Sequence, residues 1–148
     1  MQSHVASLAL IVSLSLAAPA PARAPRTQAP QLRVLVFSKT AGYRHSSIAN
    51  GIAAIKKLGQ ENGFAVDATE DAGAFTEKNL KRYAAVVFLS TTGDVLDAAQ
   101  QDDFERYIQA GGGYVGIHSA TDTENDWPWD GRLAGADPTS PPPHPPRA

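Results

Sequence analysis

The chain has 148 residues, enough for one domain, with a formal net charge of −2 and a hydrophobic fraction of 43%. Near-neutral charge and the absence of any Lys/Arg run give no basis for a nucleic-acid partner. With no cysteine in the chain, disulfides, thiolate metal sites and a Cys nucleophile are excluded together.

In chain order, the first feature is Val5 to Ala18, "VASLALIVSLSLAA". Its length suits the core of a signal peptide and is short for a bilayer span. Ala20-Pro21-Ala22 places small residues where a signal peptidase reads them, so cleavage is expected after Ala22. The alternative is a buried N-terminal helix. The expected organisation is therefore a signal peptide over 1–22 and a linker over 23–31. One domain follows over 32–136, and 137–148 is a disordered Pro-rich tail. The product would be exported, to a bacterial periplasm or outside the cell, with no membrane association after cleavage.

Within the domain, Leu32 to Ser38 ("LRVLVFS") is a continuous apolar run, as suits a strand covered on both faces. Ile48, Ile52, Ile55 and Leu58 then fall on one helical face. Ser46 or Ser47 is placed to cap that helix and Gly63 to end it. "FAVDATE" reads as a weaker strand. "FTEKNLKRY" is a short helix capped by Thr76, and Ala84 to Ser90 ("AAVVFLS") is a third strand. Asp97 and Gln100 outline a capping box for a helix with Phe104, Tyr107 and Ile108 as its buried stripe. Gly111 stops it, and "YVGIH" is the fourth strand. The order β-α-β-α-β-α-β predicts a doubly wound parallel α/β sheet. The last twelve residues, "DPTSPPPHPPRA", hold six prolines and no large apolar residue, which excludes a central strand or helix there. A doubly wound domain normally continues with more sheet. The chain is therefore expected to be a truncated or frame-shifted version of a longer domain, marginally stable, aggregation-prone and inactive on sugars.

Ligands of open α/β sheets bind beyond the carboxyl ends of the strands. Three loops qualify: Ser38 to Ser47, Ser90 to Asp94, and His118 to Trp129. Of the four histidines, His45 and His118 lie in them. Gly116-Ile117-His118-Ser119-Ala120 has the outline of a nucleophile elbow, where small flanking residues permit a tight turn. A histidine held there suits proton transfer or metal binding; the plain alternative is an imidazole bonded to backbone at a strand end. Thr40, Arg44, His45 and Ser46 gather donors near a helix start, suited to an anionic or polyhydroxyl ligand, or form an ordinary polar loop. "TTGD" reads as a simple turn. Trp127 and Trp129 are either a lid or sugar-stacking platform, or ordinary packing.

"VLVFSKTAGYRHSSI", "FLSTTGDVLD" and "FERYIQAGGGYVGIHSATDTENDWPWDGRL" occur in order over about residues 33 to 135. Together they resemble the trehalose-utilisation (ThuA-like) family. The resemblance implies a flavodoxin-like core related to class I glutamine amidotransferases and a link to bacterial sugar metabolism. It places His118 where amidotransferases carry Cys, so amidotransferase chemistry is not expected. It also implies that Tyr43, Arg44, His45, His118, Ser119, Asp122 and Trp127 line the site. Two departures stand out: Asp130 replaces a usual aromatic, and the Pro-rich end replaces an aromatic stretch with a His-Pro pair. The expected function is action on, or binding of, a small-molecule saccharide such as trehalose. His118 and His45 would be catalytic or would share a divalent metal, with Asp122 as an oxygen ligand. Thr40, Tyr43, Arg44, Ser119, Asp122, Trp127 and Trp129 would contact substrate. The alternatives are a non-catalytic carbohydrate-binding module and an inactive fragment.

Overall fold

A computed structural model describes residues 31–135. The expected signal segment, nearly all of the expected linker and the Pro-rich residues at the end lie outside the described residues. The described part has four strands: β1 (Arg33–Phe37), β2 (Ala65–Thr69), β3 (Ala85–Leu89) and β4 (Gly113–Ile117). It has four helices: α1 (Ile48–Asn62), α2 (Glu77–Leu80), α3 (Ala98–Gln109) and α4 (Pro128–Leu133). The sheet is wholly parallel with order β2-β1-β3-β4. The chain moves to one side of β1 and then to the other, which is the doubly wound, flavodoxin-like arrangement. The switch point lies between β1 and β3.

Alternate residues of each inner strand enter opposite cores. Leu35, Phe37, Val86 and Phe88 meet Phe75, Leu80, Phe104 and Tyr107 on the α2/α3 face. Val36, Val87 and Leu89 meet Ile52 and Ile55 of α1 on the other. Continuous apolar runs arise because both faces of β1 and β3 are covered.

The helix ends follow local chemistry. Asp97 and Gln100 form the capping box, Thr76 accepts from the Asn79 N–H, and Gly63 ends α1 in a left-handed conformation. Ser47 occupies the α1 N-cap without a side-chain hydrogen bond. Leu58 departs from the predicted stripe and is 51% exposed. At about 100° per residue it swings off the face that Ile48, Ile52 and Ile55 share, and Gly59 takes its place. A Cβ on Gly59 would lie 2.7 Å from the Phe64 carbonyl oxygen and 2.8 Å from Val66 Cγ2, so only glycine lets α1 sit this close to β2. No helix among the described residues is long and apolar enough to cross a membrane.

Candidate functional site

The loops that follow β1, β3 and β4 are laced together beyond the strand ends. Thr40 and Thr92 form an isolated parallel bridge, as do Gly93 and Thr123. The Ala41 N–H donates to the Thr92 carbonyl at 2.8 Å, and the Gly93 N–H to the Asp122 carbonyl at 2.7 Å. The hydroxyls of Thr91 and Thr123 pair at 2.7 Å while buried. The Thr92 hydroxyl donates to the Tyr43 carbonyl at 2.9 Å. "TTGD" is thus not the simple turn read from sequence but the seam joining the outer two loops. Gly93 is required there. Its φ is +70°, and a Cβ would come within 3.2 Å of Ala41 Cβ.

The corner after β4 is an elbow. His118 has φ +26° and Ser119 φ +57°, a left-handed turn built without glycine, and a 3-10 turn follows at Ala120–Asp122. Such backbone costs on the order of 1 kcal/mol or more per residue and persists only where surroundings impose it. Small flanking residues are needed for the reason given by the motif. A Cβ on Gly116 would meet Ala120 Cβ at 3.1 Å and the Tyr114 hydroxyl at 3.2 Å.

This elbow delivers His118 to His45. Their ring centroids are 4.5 Å apart with planes at 74°. Tyr43 adds a third ring, edge-to-face on His45 at 4.8 Å. His118 is exposed, so a ligand can reach it. A cavity of about 370 Å³ opens beside it, lined by Tyr114, Gly116, His118, Ser119, Thr121 and Leu133, among others. Two adjacent imidazoles, one reachable from solvent, set two groups that can accept a proton side by side at the crevice. Among the described residues no group of three or more His, Asp or Glu is arranged to hold a metal ion, so the pair gains no third protein ligand from Asp122.

A family model described as "Trehalose utilisation" matches residues 33–147. The chain belongs to the ThuA family. The matched span takes in the Pro-rich residues that the sequence reading set apart as a tail. Among solved structures, a ThuA-like protein from Bacteroides uniformis is similar over 79% of this chain at 30% identity, with a TM-score of 0.60. One from Parabacteroides merdae is similar over 70% at 23% identity and a TM-score of 0.55, which bears on the fold alone. This chain spans 48% and 38% of those two chains. No curated protein matches it.

The other expected site residues of this ThuA-family chain are less uniformly placed. Thr40, Tyr43 and Ser119 belong to the laced loops, with the Ser119 hydroxyl donating to the Thr91 carbonyl at 3.3 Å. Arg44 is exposed and already engaged, its guanidinium forked onto both Glu70 carboxylate oxygens at 2.7 and 3.0 Å. That partner raises its pKa further. Asp122 is exposed and offers its backbone to the seam. Trp127 and Trp129 stack on each other at 4.9 Å, and both lean on the α2/α3 core, Trp129 edge-on to Phe104. Packing therefore accounts for much of both indoles.

Sequence reasoning missed two buried carboxylates. Glu124 is 2% exposed and accepts the N–H groups of Val95 and Leu96 at 2.7 and 2.8 Å. Asp130, on the first turn of α4, is 1% exposed, and its Oδ1 has no hydrogen-bond partner. Burial, with a smaller contribution from the nearby Glu124 charge, pushes its pKa up to about 7. The same burial, and Asp130 itself, raise that of Tyr114, whose buried hydroxyl also lacks a partner. Neither carboxylate sits in a recognisable motif; a departure from the usual aromatic was the only signal at Asp130.

Proposed function

We propose, against the expectation that a shortened chain is inactive and because both imidazoles come together within residues 31–135, that the crevice binds a small saccharide, of the trehalose class, and acts on one of its hydroxyl or keto groups. His118 serves as the base and His45 as its partner. The observation that carries this reading is the contact between the two imidazoles, one of them fixed on a strained elbow. Hydroxyls from Thr40, Tyr43 and Ser119 and the mixed polar and apolar lining of the neighbouring cavity suit a ligand that is polyhydroxylic at its edge and apolar on its faces. No step in this reading requires a metal. The competing reading, a non-catalytic module, drew on Trp127, Trp129, Arg44 and Thr40. The indoles are largely taken up by their mutual stacking and core contact, and Arg44 by Glu70, so the histidine pair carries the stronger reading.

Calorimetric titration with trehalose and other disaccharides, followed by product analysis, tests the proposal. Saturable binding is expected. His118→Ala is expected to lower turnover about 100-fold or more, the usual range for removing a general base, with affinity changed far less. Binding without turnover, indifferent to His118→Ala, would establish the module instead. No saturable saccharide binding would sink both.

We also propose that the chain acts after export, on the strength of the Val5 to Ala18 segment and the Ala20-Pro21-Ala22 site. Amino-terminal sequencing of the folded product is expected to begin at Arg23. A folded product retaining Met1 would overturn this.

A further inference from the structure

The backbone of one residue, Val95, ties all three loops of the crevice together. Val95 is almost fully buried in the loop after β3. Its N–H donates to Glu124 Oε1, from the loop after β4, at 2.7 Å. Its carbonyl accepts from Lys39 Nζ, from the loop after β1, at 3.0 Å. Glu124 also accepts from the Leu96 N–H and, through Oε2, from Gln101 Nε2 of α3 at 2.6 Å. Taking a carboxylate out of water is costly, and charge-assisted hydrogen bonds of this number and geometry are what offset it. The Glu124 backbone is itself left-handed, at φ +55°. Its N–H donates to the Gly93 carbonyl and its carbonyl accepts from the Trp127 N–H.

The segment between His118 and Glu124 is fixed at three points. The Ser119 hydroxyl, the Asp122 carbonyl and the Thr123 hydroxyl are each bonded to the end of β3 or to the seam. At the other end, Lys39 precedes Thr40, which bridges Thr92, and Thr92 holds the Tyr43 carbonyl beside His45. We infer that Glu124 is a positioning residue, and that the Glu124–Val95–Lys39 clamp sets the contact between His118 and His45. It touches neither ring and acts through the loops that carry them. The inference rests on the histidine pair being the site, not on a saccharide being its ligand, so it can fail or stand independently of the proposed reaction.

The test is nuclear magnetic resonance on the full chain, reading the through-space contact between the His45 and His118 rings and their ring-proton shifts. Glu124→Gln keeps an acceptor oxygen for the Val95 and Leu96 N–H groups, and turning the Gln101 amide restores the third bond. The ring contact is expected to survive. Glu124→Ala removes the clamp. The ring contact is expected to vanish and the His118 signals to shift, while the resonances of Phe37 and Phe88 stay in place. A purely structural glutamate would lower the melting temperature and leave the ring contact as it was, and that result would overturn the inference. Should Glu124→Ala not fold, Lys39→Met carries the test, since it leaves the buried carboxylate satisfied. Loss or weakening of the ring contact supports the clamp, and an unchanged contact refutes it.

Discussion

Wild-type stability will fall as pH rises from about 4 to about 7 and then level off, and Asp130→Asn will remove that fall. Asp130 is 1% exposed, its Oδ1 has no partner, and its pKa is raised to about 7 from an ordinary 3.8. Below the ordinary value, folded and unfolded chains both hold the proton, and there is no penalty. Between the two values the unfolded chain ionises while the folded chain keeps its proton, so each step in pH favours unfolding. Above about 7 the folded chain bears a buried, poorly solvated charge and the penalty is constant. A displacement of about three pKa units corresponds to roughly 4 kcal/mol. Chemical denaturation of both proteins at closely spaced pH values measures it. The advantage of Asp130→Asn over wild type should grow by about that amount across the window. Parallel profiles for the two proteins would show that Asp130 is solvated or paired in solution. Glu124 and Tyr114 are the ionisable groups that bear on this carboxyl, and neither supplies a counter-charge.

Asp130 also shows where sequence reading stops. The strands were legible because β1 and β3 are covered on both faces and so lack polar interruption. The elbow was legible because its crowding demands Gly116 and Ala120 around His118, and that demand writes a local pattern. The helix face at Leu58 was misjudged because spacings of four, three and three drift off a true helical stripe, and the residue that belongs there is a glycine with no hydrophobic signal. Arg44 was read as a donor for a ligand because its actual partner, Glu70, is distant in sequence and belongs to the segment after β2. Glu124 was unreadable for the same reason: its three donors come from residues 95, 96 and 101, and nothing near position 124 announces them. Thr91, Thr92 and Gly93 looked like turn residues and proved to be the lacing of the site, a role set by parallel bridges between distant loops.

The second large effect concerns the outer strand. β4 pairs with β3 on one side, and no strand pairs with its other edge among the described residues. On the α1 face, Val115 lies in register with Val87 and Ile117 with Leu89, which continues that core's apolar stripe past the reach of α1. The result is that Val115 is 45% exposed and Ile117 36% exposed. The strand, "GYVGI", carries none of the devices that blunt an edge: it has no charge and no proline, and its register is regular. An open row of backbone donors and acceptors beside exposed β-branched side chains is a template for another chain. Self-association through β4 is therefore expected, seen as a concentration-dependent rise in sedimentation coefficient or as aggregation on warming. Changing both Val115 and Ile117 to Lys places like charges along the edge and is expected to hold the chain monomeric. It should do so at a cost within about 1 kcal/mol, because both positions are already exposed. Sedimentation velocity on the two proteins over a wide concentration range decides it: a wild-type chain that stays monomeric throughout, or a double variant that associates equally, would show that the β4 edge is not where copies of this chain meet.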